Sequence, residues 1–139
     1  MIEFDYKKSM YPSQVRHTTL YKKAITIYEL SRKLNKHNHL ITSFNESCSL
    51  DQMRLREGLT MLSVRLPYTI ALAHTTSNYG LKLRSSNLVL QSIEGLRSYC
   101  KELKSSASRD KDDLNMLYKE LGSFSKLCKH WRIMVTQEN

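Results

Sequence analysis

Four residues separate Arg32 from His37, and guanidinium and imidazole are groups that stabilise and protonate phosphate oxygens when RNA is cleaved. The spacing alone is a weak signal, because a chain with 22 Lys and Arg and five His produces it often. His37 and His39 flank one residue and could offer two imidazoles to a metal. No third or fourth ligand of matching spacing stands near, so two exposed side chains are the ordinary reading. Cys48, Cys100 and Cys128 are odd in number, far apart and form no C-x-x-C, which suits a reducing compartment. Cys100 and Cys128 fall on apolar seams and read as small core residues. No G-x-S-x-G, P-loop or H-E-x-x-H occurs. The expectation is a non-enzymatic chain without metal or cofactor.

The chemistry in excess is positive charge. The formal net charge is +9 and the isoelectric point is near 9.6, with no acidic stretch in balance. The cations concentrate in three places: Lys22, Lys23, Arg32, Lys33 and Lys36; then Lys82, Arg84, Arg97, Lys101 and Lys104; then Lys126, Lys129 and Arg132. Arg97, Lys101 and Lys104 recur at helical spacing on one face, and the last three nearly so. Such rows can follow a phosphate backbone, and these thirteen residues are the candidate nucleic-acid contacts. A single row is as readily a solvated face; their sum carries the reading. An acidic protein would also suit this charge. An anionic membrane ranks last, because every apolar seam is needed by the fold. Tyr21, Tyr28, Tyr99 and Tyr118 lie on or beside apolar faces, as boundary residues do, with base stacking the sharper alternative.

The elements that must carry these rows are helices. Leu114, Leu117, Leu121, Phe124, Cys128, Trp131 and Val135 alternate gaps of three and four, the seam of a helix lying along another helix. Val89, Ile93, Leu96, Cys100 and Leu103 mark a second such helix, with Leu81, Leu83 and Leu88 leading into it. Leu20, Ala24, Ile27, Ser31 and Leu34 mark a third, capped by Thr18 and ending near Lys36. His37 to Leu50 then reads as a long polar connection. Leu55, Leu59, Leu62, Leu66, Ile70 and Ala73 mark the remaining helix, capped by Asp51 and kinked near Pro67. Thr75 to Gly80 reads as a turn, and Asp112 and Asp113 suit the positive end of the last helix. The expected fold is an all-α, antiparallel up-down four-helix bundle.

Length and composition agree. The chain has 139 residues, enough for a single domain (1–139) that buries roughly two thirds of its unfolded surface. Gly is 4 and Pro is 2, too few for a turn-rich all-β fold. Residues 1–17 read as a loosely packed lead-in. Glu3 and Asp5 and the absence of an apolar core argue against a signal peptide there. No apolar run approaches the ~20 residues of a membrane helix. The default location is cytoplasmic.

Two family resemblances sharpen these expectations. The Arg32–His37 spacing resembles the active-site motif of HEPN ribonucleases, also small helical bundles, although that motif generally lies late in the domain. The stretch Arg65-Leu66-Pro67-Tyr68-Thr69-Ile70-Ala71 resembles the S-I-P-S-N-I-A-E-G run in helix two of small bacterial four-helix-bundle proteins encoded in ribosomal RNA intervening sequences. Pro67, Ile70 and Ala71 match in place. Ser92, Ile93 and Leu96 fall where that family has G-S-L-x-E-L. Thr69, Leu72, Ala73, Gln91 and Gly95 depart from the pattern, so the chain looks like a divergent basic branch. The branch it resembles in size, helix count and charge is that of the accessory variability determinants of diversity-generating retroelements. That resemblance implies a homopentameric barrel that binds RNA or DNA and a reverse transcriptase. Ile25, Met61, Val64, Leu72, Leu88, Leu90 and Met134 lie off the central seams, which also points to oligomerisation. The alternatives are a ribonuclease using Arg32 and His37, and a structural adaptor docking an acidic protein.

Overall fold

A computed structural model of the chain describes residues 18–44, 50–106 and 111–137, the side chains of 36–44 and 106 excepted. Four helices account for nearly all of them: α1 (Thr19–Phe44), α2 (Leu50–Thr75), α3 (Tyr79–Ser106) and α4 (Lys111–Gln137). No strand occurs among the described residues. Each helix packs on the next and α1 also packs on α4, which closes an all-α four-helix bundle around one core. The expected lead-in (1–17) and Cys48 lie outside the described residues.

Local chemistry starts two of these helices. The Tyr21 N–H donates to Thr18 Oγ1 at 3.2 Å, so Thr18 caps α1 as expected. The Leu81 N–H donates to Asn78 Oδ1 at 3.0 Å, and Asn78 in turn donates its N–H to Thr76 Oγ1 at 3.2 Å. That cap starts α3 at Tyr79 and shortens the expected Thr75–Gly80 turn to residues 76–78. Two further boundaries differ from expectation. α1 runs on to Phe44 instead of ending near Lys36, because the polar stretch after Lys36 contains no Gly or Pro to stop it. α2 begins at Leu50, which places Asp51 inside the first turn, where its charge meets the helix dipole.

The seams predict the core. All the seam residues of α1, α3 and α4 are buried, and in α2 so are Leu59, Leu66, Ile70 and Ala73, with Leu55 and Leu62 packed at the edge. α2 is one helix through Pro67, which is itself buried. A second cluster, Tyr21, Tyr28 and Ala71 with Ile25 and Val64, seals α1 against α2. Ile25, Val64 and Leu90 therefore pack within the bundle, whereas Met61, Leu88 and Met134 are exposed.

Cross-helix contacts set the register. Arg56 Nη1 donates to the Leu34 carbonyl at 3.2 Å and the Thr60 hydroxyl donates to the Ser31 carbonyl at 3.4 Å, so the pairing ascends α2 as it descends α1. Between α2 and α3, a Cβ added at Gly58 would sit 2.7 Å from Tyr99 Cε2, and one at Gly95 2.9 Å from Leu62 Cδ1. Again a step of four forward is a step of four back. Lys33–Asp113 (3.7 Å) and Lys23–Glu120 (3.9 Å) also run in opposite senses along α1 and α4. Across the diagonal, Trp131 Nε1–H donates to His74 Nε2 at 3.1 Å.

Candidate nucleic-acid interface

Tyr118 lies at the centre of a basic stretch of the α3–α4 surface. It sits half-buried on α4 with its ring against the core. The Arg97 guanidinium lies 5.3 Å from the ring centroid and the Lys104 ammonium 5.1 Å. Both come from α3, seven residues apart, about 10 Å along the axis. A cation over a tyrosine face is held by the ring quadrupole, so one ring fixes two positive charges from the neighbouring helix. Lys101 stands between them in sequence and is exposed. Glu94, one turn before Arg97, pairs with it at 3.9 Å.

The same flank of α4 continues with Ser125, Lys129 and Arg132, which follow Tyr118 by 7, 11 and 14 residues and so repeat on one side of the helix. Lys129 is exposed and Arg132 half-buried. Lys126 is exposed on the outer shoulder, about 80° round from Tyr118. The acids of α4 lie elsewhere: Asp113 and Glu120, seven apart, occupy the flank facing α1 and meet Lys33 and Lys23 there. α4 therefore holds Asp113 and Glu120 on the flank facing α1 and Lys129 and Arg132 on the flank facing α3.

The thirteen candidate residues separate accordingly. Arg97, Lys101, Lys104, Lys129 and Arg132 share the α3–α4 face, with Lys126 at its margin. Lys23 and Lys33 are engaged with α4 carboxylates, while Lys22 and Arg32 are exposed on α1. The side chain of Lys36 lies outside the described residues. Lys82 is half-buried near the start of α3. Arg84 is exposed, but its position on α3 is turned about 140° from that of Arg97.

The remaining chemical candidates resolve as follows. Arg32 and position 37 belong to one continuous helix, which turns their backbone positions about 140° apart; the side chains of His37 and His39 lie outside the described residues. No cluster of three or more His, Cys, Asp or Glu that could hold a metal occurs among the described residues. Tyr21 (2% exposed) and Tyr28 (6%) are core residues, which corrects their reading as possible stacking platforms. Tyr99 is wedged against Gly58. Cys100 and Cys128 are fully buried, and burial pushes each thiol up to about 12. Arg56 is the surprise: charge reads it as a surface residue, yet it is 2% exposed and ties α2 to the α1 backbone. Its position one step from Leu55 on the α2 seam was the signal available.

Two exposed apolar lines complete the surface. Leu50, Met61 and Tyr68 on α2, and Met116, Leu127 and Met134 on α4, both repeat at intervals of eleven and seven, so each set lies in a line on its helix. Among the described residues no helix is long and apolar enough to cross a membrane. No family model, no curated protein and no solved structure matches the chain.

Proposed function

We propose that this chain is a non-enzymatic, oligomeric protein that binds RNA or DNA through basic helix faces and assists a reverse transcriptase of retroelement or retron type. The observation that carries the nucleic-acid reading is the α3–α4 face, where Arg97 and Lys104 converge on Tyr118 and the α4 carboxylates are turned away. Fixed cations with few competing acids favour phosphate oxygens over water. Leu50, Met61 and Tyr68 on α2 and Met116, Leu127 and Met134 on α4 are large apolar side chains left exposed in line, and burying such side chains against a second copy supports self-association. The reverse transcriptase, the pentameric ring and a cytoplasmic location rest on the resemblance in sequence and on composition.

Binding of fluorescent RNA and DNA across a salt series tests this. Backbone contact gives a log–log slope of about −0.7 to −0.9 per phosphate neutralised, and a slope near zero refutes it. Reversing Arg97, Lys101 and Lys104 to Glu is expected to weaken binding to all sequences alike, and loss for one sequence only would contradict simple backbone contact. Failure to retain any nucleic acid at physiological salt would favour an acidic protein as the partner.

A further inference from the structure

We infer that the ligand of the α3–α4 face is a single strand of nucleic acid lying lengthwise along the two helices, about six phosphates long; this rests on the nucleic-acid reading above. The argument begins with register. Only four residues separate Ser106, the end of α3, from Lys111, the start of α4, and Tyr118 already lies beside Arg97 and Lys104. α4 therefore runs back along α3, and each residue gained on α4 matches one lost on α3. Arg132 is fourteen residues past Tyr118, so it falls beside the stretch fourteen before 97–104, which is Leu83–Leu90.

The cations then form a single file. Lys104, Lys101 and Arg97 occupy one half of the α3–α4 face from the α3 side, and Lys129 and Arg132 occupy the other half from the α4 side, with Lys126 at its margin at an intermediate level. From Lys104 to the level of Arg132 is about 18 residues of rise, roughly 27 Å, with a cation every ~5 Å. The two helices exchange the row between them, so neither helix alone shows it. Phosphates of a stacked strand advance about 3.4 Å each, and a strand partly drawn out matches a ~5 Å repeat.

A duplex fits this file poorly. Each of its strands spirals away from a straight row, so only part of the file would meet phosphates at once. A single strand can straighten and neutralise the whole row. Six phosphates also lie within the range of about 4–16 nucleotides that single-strand sites occupy. Tyr79 (39% exposed) and Ile133 (53%) border the Arg132 end of the face, apolar surface on which an unpaired base can rest and a paired one cannot.

The test is fluorescence anisotropy of labelled oligouridylates from about 3 to about 12 nucleotides, beside an RNA duplex of about 12 base pairs, each across a salt series. Affinity is expected to climb steeply up to about six nucleotides and then rise only with the number of registers available, with a salt slope near −4. The single strand is expected to bind at least about tenfold tighter than the duplex near 0.1 M salt. The double variant Lys101→Glu, Lys129→Glu should weaken the single strand at least about tenfold, whereas Arg54→Glu, Arg65→Glu, exposed on α2, should change it about twofold or less. Glu94→Gln, which releases Arg97, should tighten binding. Far-ultraviolet circular dichroism establishes that each variant is folded. A duplex that binds as tightly as the single strand, or with a steeper salt slope, overturns the inference while leaving nucleic-acid binding intact. So does a larger loss from the α2 variant. Binding of neither form at low salt removes the nucleic-acid reading itself.

Discussion

Burial decides the chemistry of single residues here more than residue type does. Cys100 and Cys128 are thiols without thiolate character, since desolvation moves both from 9.0 to about 12. At pH 8 such a group is ionised to on the order of one part in ten thousand. In a Cys48→Ser background, a thiol reagent is therefore expected to label neither residue until denaturant unfolds the bundle. Labelling at the rate of a free thiol in the native state would refute the burial. The same shift has a sign for stability. Unfolded thiols release their protons near 9.0 and folded ones near 12, so the folded state holds more protons between those values. Stability is then full below about pH 9 and falls as pH rises toward 12, and the urea midpoint should show that fall. Replacing both residues by Ala should flatten it. Both cysteines were legible as core residues from their place on the seams. Arg56 was not, because a long charged side chain at a seam edge looks the same in sequence whether it reaches for water or for a backbone carbonyl.

Among the elements, α2 and α3 pack closely, and Gly58 and Gly95 show how tightly. Gly58, Gly95 and Gly122 all lie inside helices with no positive φ, so each would gain up to ~1 kcal/mol of helix propensity as Ala. What differs is the room. A Cβ at Gly122 meets nothing within 4 Å, and Gly122→Ala should raise stability by about 0.5–1 kcal/mol. At Gly95 the obstacle is Leu62 Cδ1, the end of a flexible side chain that can swing aside, so the change should be nearly neutral. At Gly58 the obstacle is the stiff ring of Tyr99, and Gly58→Ala should destabilise by about 1–3 kcal/mol. Thermal melts should rank Gly122→Ala above Gly95→Ala and Gly95→Ala above Gly58→Ala; a different order would contradict the close contact of Gly58 with Tyr99. Periodicity revealed α3 and α4 almost to their ends, because their apolar gaps are regular and small or charged residues bound them. It missed the last turns of α1, where Asn, His and Thr are weak helix formers but not breakers. The basic face was half legible: Arg97, Lys101 and Lys104 show as a row, but its continuation on α4 depends on a register set by the fold.

For the molecule as a whole, the exposed lines Leu50–Met61–Tyr68 and Met116–Leu127–Met134 predict association, and light scattering behind size exclusion should return a discrete mass several times 16.3 kDa. A mass of 16.3 kDa, that of a single chain, would count against it, and paired changes such as Met61→Lys and Met134→Lys should dissociate an assembly built on those lines without unfolding the bundle. Charge is distributed just as unevenly as apolar surface. Asp113 and Glu120 on one flank of α4 are matched by Lys33 and Lys23 of α1, whereas Lys129 and Arg132 lie on the other flank beside Lys101 and Lys104, so among the described residues the pull on a polyanion is stronger on the α3–α4 side. A polyanion coming within a Debye length, about 10 Å at 0.1 M salt, exerts a torque that rotates the α3–α4 side to the front before any contact forms. Orientation is thus settled during approach, and added salt removes that guidance along with the grip.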